Sequence, residues 1–257
     1  MDKGKIICIT GCDRVGKATQ SKLLAQVLNA HSISFPDYST ITGQLIRAAL
    51  TKSYVELDRK LYPNRVEGLS LNSQEYTEHT KTFEFMNKNK MSPYSFQMLQ
   101  MICRLEKQNE IRSVLESGQH IVADRYDVDT LVYGLADGCD ETWTRNFLGC
   151  IIPSDLVLVL FGDQQDRHEV ADLHETNVEF MNKVRQIYRK ICYLDASTDC
   201  YTEEHNYNKY VPIDVVEAKD KYVSILLTHE KIVEVIKEKI DYNIEPLSIK
   251  DIGKIIE

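Results

Sequence analysis

Apolar and polar positions follow two rhythms along the chain. Dense apolar runs lie at residues 5–10 (KIICIT), 32–35, 119–123, 155–161 (DLVLVLF) and 210–215, and each reads as a short buried strand. Between them apolar residues recur at helical spacing. Leu23, Leu24, Val27 and Leu28 make one stripe, and Leu45, Ile46, Ala49 and Leu50 make a second. Phe96, Leu99, Ile102, Leu105 and Ile111 predict a single helix over residues 94–115, stopped by Ser117-Gly118. Further helices are expected through Leu131 and Tyr133, over 180–193 and over 225–240. Strands alternating with helices predict an α/β fold of three layers, a central parallel sheet flanked by helices. Some stretches have neither rhythm. Residues 51–91 are rich in Lys, Glu, Asn and Thr and read as a surface insertion with some short helix. Residues 162–178 form a polar stretch suited to a mobile flap, 195–210 a polar loop and 241–257 a C-terminal extension.

Composition narrows this picture. The 257 residues are 43% hydrophobic and 27% charged, the balance of a globular chain that reads as one domain. A net charge of −8 argues against broad binding to nucleic acid or an acidic membrane, though not against single nucleotides. The amino terminus has no secretory pattern, and no apolar run approaches membrane-spanning length. Seven cysteines, an odd number without a Cys-x-x-Cys pair, favour reduced thiols in a cytoplasmic compartment.

The candidate chemistry starts where the first strand meets the first helix. Gly11-Cys12-Asp13-Arg14-Val15-Gly16-Lys17 fits the phosphate-cradling template of glycine, four residues, glycine and lysine. The glycines let successive N–H groups point at one anion, the helix start adds partial positive charge, and Lys17 reaches the outer phosphates. The hydroxyl that normally follows the lysine and binds Mg²⁺ is missing, because Ala18 stands there. Thr19 cannot replace it, since one step along a helix swings the side chain by roughly 100°. Either water and a carboxylate elsewhere hold the metal, or the site is degenerate. Cys12 is a small filler or a reactive thiol. Asp124 and Arg125 end the third strand, and in an open parallel sheet that places them beside the phosphate loop.

Four blocks in order resemble the thymidylate kinases: GCDRVGKATQ, FPDYSTITG, Arg104 followed by DRYDVDTLVYG, and ADLHETNVEFMNKVRQIY. They cover most of residues 5–193 apart from the insertion. The resemblance implies a P-loop nucleoside monophosphate kinase fold with a small lid at 162–178, and transfer of a phosphoryl group from ATP to thymidine monophosphate with Mg²⁺. It also implies a homodimer. Gly11, Asp13, Arg14, Val15, Gly16, Lys17, Ala18, Thr19 and the lid's Arg167 would bind ATP, with Arg14 at the transferring phosphoryl group. Asp124 would position Mg²⁺ through water, and Arg125 would bridge donor and acceptor phosphates. Phe35, Tyr38, Arg47, Gln100, Arg104, Arg125 and Tyr133 would hold the acceptor. Arg104 would face the base and Tyr133 the sugar, while Asp13 would hold the sugar or order the loop.

Three departures bear on the acceptor. Tyr38 stands where many relatives have arginine, so Arg47 or Arg125 must do more. Gln100 replaces a ring that stacks on thymine. Asp129 replaces serine and is expected to add negative charge near a dianionic substrate. These leave two alternatives: a kinase for another or a 5-modified deoxynucleoside monophosphate, and a catalytically weakened nucleotide-binding regulatory protein.

Overall fold

Five parallel strands form one sheet in the order β2-β3-β1-β4-β5. The structure is a computed structural model and describes residues 3–61, 91–162, 177–193, 209–240 and 244–256. Its strands are β1 (Ile6–Gly11), β2 (His31–Ser34), β3 (Ile121–Asp124), β4 (Leu156–Phe161) and β5 (Tyr210–Asp214). The described helices are α1 (Lys17–Leu28), α2 (Ile41–Thr51), α3 (Tyr54–Leu61), α4 (Pro93–Leu105), α5 (Gln108–Glu116), α6 (Asp127–Ala136), α7 (Glu141–Leu148), α8 (Val178–Tyr193), α9 (Lys221–Ile240) and α10 (Ile249–Ile256). None is long and apolar enough to cross a membrane.

The sheet centre explains the unbroken apolar runs. Every residue of β1 and β4 is buried, as strands covered on both faces require. Each fully buried Ile, Leu or Val there contributes about 1.5–3 kcal/mol. Register then sets the site. Ile9 pairs with Asp124 on one side of β1, and Gly11 pairs with Leu160 on the other. The loop after β1 and the residues after β3 therefore emerge side by side at the carboxyl edge of the sheet.

Residues 94–115 depart from the single predicted helix. The chain breaks at Glu106 and Lys107 into α4 and α5 with no glycine or proline to announce it. Side chains hold the break instead. Gln108 Nε2 donates to the Arg104 carbonyl at 3.0 Å, Thr42 Oγ1 donates to Glu106 Oε1 at 2.6 Å, and Lys107 pairs with Asp37 and Glu110, each at 3.1 Å. The buried face of α4 also differs from the predicted stripe. Phe96, Gln97, Met101, Cys103 and Arg104 turn inward, whereas Ile102 and Leu105 are exposed. Hydrogen bonds made by Arg104 stabilise this rotation, and a count of apolar spacing cannot register them.

Two helices lay outside the sequence expectations. In α7 the Asp140 side chain accepts from the Trp143 N–H at 2.7 Å, and Trp143 packs on Tyr94 and Phe147. In α10 Ile252 joins a small core with Leu23 and Ile225. The start of the expected insertion carries α3. Residues 62–90 of it lie outside the described residues, as do 163–176 of the flap expected at 162–178 and 195–208 of the polar loop expected at 195–210.

Candidate active site

The phosphate loop takes its shape from two glycines. Gly11 has φ 133°, and a Cβ there would sit 2.2 Å from the Leu160 carbonyl oxygen. Gly16 caps α1 with φ 88°, and open space lies where its Cβ would be. Arg14 adopts φ 63° between them. The loop thus curls into the N-terminus of α1, the geometry that gathers backbone N–H groups on an anion. Ala18 is exposed in the first turn and Thr19 half-buried.

Lys17 is 6% exposed, and its head folds back onto the Cys12 carbonyl at 2.5 Å and Asp13 at 3.5 Å. Burial pushes its pKa below the ordinary lysine value, Arg125 adds to that, and Asp13, Asp124 and Asp129 oppose it. An incoming phosphate would offer this ammonium a stronger partner than a carbonyl. Asp13 faces the other way as well. It accepts from Arg125, and its second oxygen accepts from the Tyr133 hydroxyl at 3.2 Å. Burial raises the Asp13 pKa, but Arg125 and Lys17 outweigh it and hold the carboxyl well below the usual range.

Arg125 is the junction of the site. It sits at φ 63°, directly after β3, and its Nη1 also donates to Asp129 Oδ1 at 3.1 Å and to Tyr133 Oη at 3.2 Å. Burial lowers its pKa, and Asp13, Tyr133 and Asp129 more than reverse this. Burial likewise pushes the Tyr133 phenol well above its ordinary value, so it stays a neutral donor.

At this junction lies a cavity of about 220 Å³. Phe35, Phe96 and Tyr133 give it aromatic walls, and Gln97, Gln100, Arg104 and Thr130 give it polar ones. Gln97, Gln100 and Arg104 lie at i, i+3 and i+7 of α4 and so share a face. Arg104 is 2% exposed; Nε donates to the Tyr126 carbonyl at 2.8 Å, and Nη1 donates to Gln100 O at 2.7 Å and Oε1 at 3.1 Å. Its guanidinium also stacks on Phe35 at 5.3 Å.

The structure thus brings Asp13, Phe35, Tyr38, Gln100, Arg104, Arg125 and Tyr133 to one cavity beside Gly11, Val15, Gly16 and Lys17. Arg47 is exposed and does not line the cavity, though its guanidinium lies 5.4 Å from the Tyr38 ring centroid. Arg167 lies outside the described residues. Asp129 is not a bare charge facing the acceptor. It is 4% exposed and accepts from Thr10 at 2.8 Å, Tyr188 at 3.0 Å, the Tyr126 N–H at 3.0 Å and Arg125. Arg125, shared with Asp13, offsets its charge and the uncharged donors fix its orientation, while the residue still lines the cavity. Sequence reasoning missed Gln97 and Thr130. The only signal for Gln97 was a polar residue one turn before Gln100 on the same helix.

A single metal ion fits this set. No group of three or more His, Cys, Asp or Glu side chains that could hold a metal occurs among the described residues. Mg²⁺ needs only one or two carboxylates when phosphates and water supply its other ligands. Asp124, at the end of β3 and close enough to raise the Lys17 pKa, is such a carboxylate.

No protein-family model matches the chain. It is similar to the thymidylate kinase of Plasmodium falciparum (isolate 3D7), 28% identical over 197 residues, 75% of this chain and 80% of that protein. The thymidylate kinase of Dictyostelium discoideum is 26% identical over 197 residues, 73% of each chain. Among solved structures, a thymidylate kinase from Candida albicans superposes with a TM-score of 0.63 at 22% identity, covering 96% of both chains. One from Ehrlichia chaffeensis gives 0.57 at 16%, covering 91% of this chain and 99% of the other. The fold is that of the P-loop nucleoside monophosphate kinases, as the four sequence blocks implied.

Proposed function

We propose that the chain transfers the terminal phosphoryl group of ATP to thymidine monophosphate, forming the diphosphate and ADP. The observation that carries this reading is the Arg125 junction. One guanidinium contacts the phosphate loop through Asp13 and the aromatic cavity through Tyr133, where a donor and an acceptor phosphate would meet. Sequence similarity to two thymidylate kinases supports the choice of nucleotides.

In this reading an oxygen of the acceptor phosphate attacks the terminal phosphorus, and the bond to the bridging oxygen of ADP breaks in line. No covalent enzyme intermediate is needed, so the protein supplies position and charge. Loop N–H groups and Lys17 hold the donor phosphates. Arg14 and Arg125 neutralise charge that spreads over the transferring group, a contribution that can reach ~10³–10⁵ in rate for one arginine. Asp124 would hold Mg²⁺ through water, and the ion would offset phosphate charge there. Arg104 donates to a base carbonyl and Tyr133 lies against the sugar. The chain would act as one domain, and the lid expected at 162–178, most of it outside the described residues, would exclude water.

A homodimer and a cytoplasmic location complete the proposal. Exposed Met98, Ile102 and Leu105, at i, i+4 and i+7 of α4, supply an apolar face suited to a second copy. The odd set of seven cysteines suits a reducing compartment. The test is a coupled assay of ADP release across the deoxynucleoside monophosphates, with Lys17→Ala as control. Thymidine monophosphate is expected to be turned over, and the folded Lys17→Ala protein to lose at least ~10²-fold in kcat as a phosphate contact is removed. Binding of nucleotides without turnover of any monophosphate would favour a regulatory protein.

A further inference from the structure

Helix α8 buries one face, made of Phe180, Met181, Val184 and Tyr188. The Phe180 ring packs against Tyr133, with 6.0 Å between centroids. Tyr188, the last of the four, is 0% exposed. Its hydroxyl lies 2.8 Å from Oγ1 of Thr10, the residue just before Gly11, and donates to Asp129 Oδ1 at 3.0 Å. Thr10 Oγ1 donates to the same carboxylate oxygen at 2.8 Å. Three oxygens thus form a closed triangle with two hydroxyl protons among them. Two hydroxyls cannot donate to each other at once, so at least one proton always points at Asp129 Oδ1.

Burying a phenol hydroxyl is unfavourable unless it is bonded, and phenylalanine would fill the same space without that demand. Burial, with Asp129 and Tyr133 adding to it, pushes the Tyr188 pKa well above its ordinary value, so the group stays a neutral donor. Its acceptor is the carboxylate that stands where the resemblance expected serine. Asp129 Oδ2 accepts from the Tyr126 N–H at 3.0 Å, so both carboxylate oxygens are pinned. With its plane fixed, Oδ1 meets Arg125 Nη1 at 3.1 Å, while Asp13 takes Nη2. The guanidinium is therefore gripped on both arms, by one carboxylate from α6 and one from the phosphate loop.

We propose that Tyr188 is a positioning residue for Arg125: its hydroxyl fixes the Asp129 carboxylate, which fixes one arm of the guanidinium. This rests on reading Arg125 as the bridge between donor and acceptor phosphates. Tyr188 is too deeply buried to touch a nucleotide, so it acts only through Asp129. Without the hydroxyl, Oδ1 keeps Thr10 as its one uncharged donor. The carboxylate is then free to turn, and Nη1 turns with it. The loss is smaller than that from removing Asp13, because Asp13 still holds Nη2.

The experiment measures kcat, and the KM for ATP, in the full-length protein, in Tyr188→Phe, in Arg125→Ala and in the double variant, with thymidine monophosphate as acceptor. Tyr188→Phe is expected to lower kcat ~10-fold, as a displaced catalytic group does. The KM for ATP should stay within about twofold of wild type. In the Arg125→Ala background the same substitution should change kcat by less than about twofold, because the group it positions is gone. A merely structural role lowers the active fraction alike in both backgrounds, so an equal drop in the two overturns the proposal. So does an unchanged kcat in Tyr188→Phe. NMR of arginine-labelled protein gives a second readout, with the Arg125 signals assigned through the side chain. Separate Nη signals are expected in the wild type and merged ones in Tyr188→Phe. Averaged signals in the wild type overturn the proposal even where the variants fail to fold. Absence of turnover with every monophosphate would instead overturn the phosphoryl-transfer reading, and the NMR comparison would then decide the positioning by itself.

Discussion

Arg125 and Asp13 are 112 residues apart, yet the guanidinium of the one donates to the carboxylate of the other. The bond joins the end of β3 to the phosphate loop, and Tyr133 ties the same carboxylate to α6 at 3.2 Å. The arginine proposed to bridge donor and acceptor phosphates is thereby held in one orientation.

Removing the holder is expected to release the arginine. Asp13→Ala should lower kcat by ~10²-fold, the size of effect that loss of positioning produces, with a smaller change in the KM for ATP. Arg125→Lys keeps the charge but loses the fork, and should fall at least as far. Steady-state kinetics separate this from Asp129→Ala. Asp129 touches Thr10, Tyr126, Arg125 and Tyr188, and its loss should appear first as lower stability, about 3 kcal/mol or more, in a urea titration. Equal kinetic behaviour of Asp13→Ala and wild type would leave the Asp13–Arg125 bond a structural tie.

The metal is expected to depend on Asp124 because Ala18 offers no hydroxyl. Asp124→Asn should raise the Mg²⁺ concentration for half-maximal rate by about tenfold or more, the scale seen when partners that orient a metal's ligands are removed. Ala18 is exposed in the first turn of α1, so Ala18→Ser can be accommodated and should lower that concentration. A Mg²⁺ titration of both variants checks this. Wild-type behaviour in Asp124→Asn would remove the carboxylate from metal positioning.

The parts of this site that were legible in the sequence are the local ones. Gly11, Gly16 and Lys17 announce themselves because the loop is built from consecutive residues between a strand and a helix. Asp124 and Arg125 were legible because strand ends in a parallel sheet share one edge. The rotation of α4 was not legible. Apolar spacing favoured Ile102 and Leu105, whereas Gln97 and Arg104 turn inward, and one Arg104 bond joins α4 to Tyr126 on a distant segment. Asp129 lines the cavity, near the acceptor as expected, but its hydrogen-bond partners were not legible for the same reason. Its burial depends on Thr10 and Tyr188, 119 and 59 residues away. The break at Glu106 and Lys107 rests on side-chain caps from Thr42 and Gln108, for which no single residue type is diagnostic.

A last prediction concerns stability away from the site. His229, on α9, is 0% exposed, and neither ring nitrogen has a hydrogen-bond partner among the described residues. Burial alone pushes its pKa down to about 4, against about 6.5 for an unperturbed histidine. Between those values the unfolded chain binds a proton that the folded chain refuses. Stability therefore rises with pH across this window, is fully present above about pH 6.5, and is lost progressively as pH falls towards 4. At 1.36 kcal/mol per unit the whole loss is at most about 3 kcal/mol, and about 2 kcal/mol of it should be gone by pH 5. The depressed Asp13 carboxyl loses its own contribution only at lower pH, so the two effects separate. Urea midpoints at pH 7.5 and pH 5 should differ markedly in the wild type and much less in His229→Leu, which stays neutral throughout. An equal drop in both proteins would mean that the acid sensitivity in this window comes from other groups.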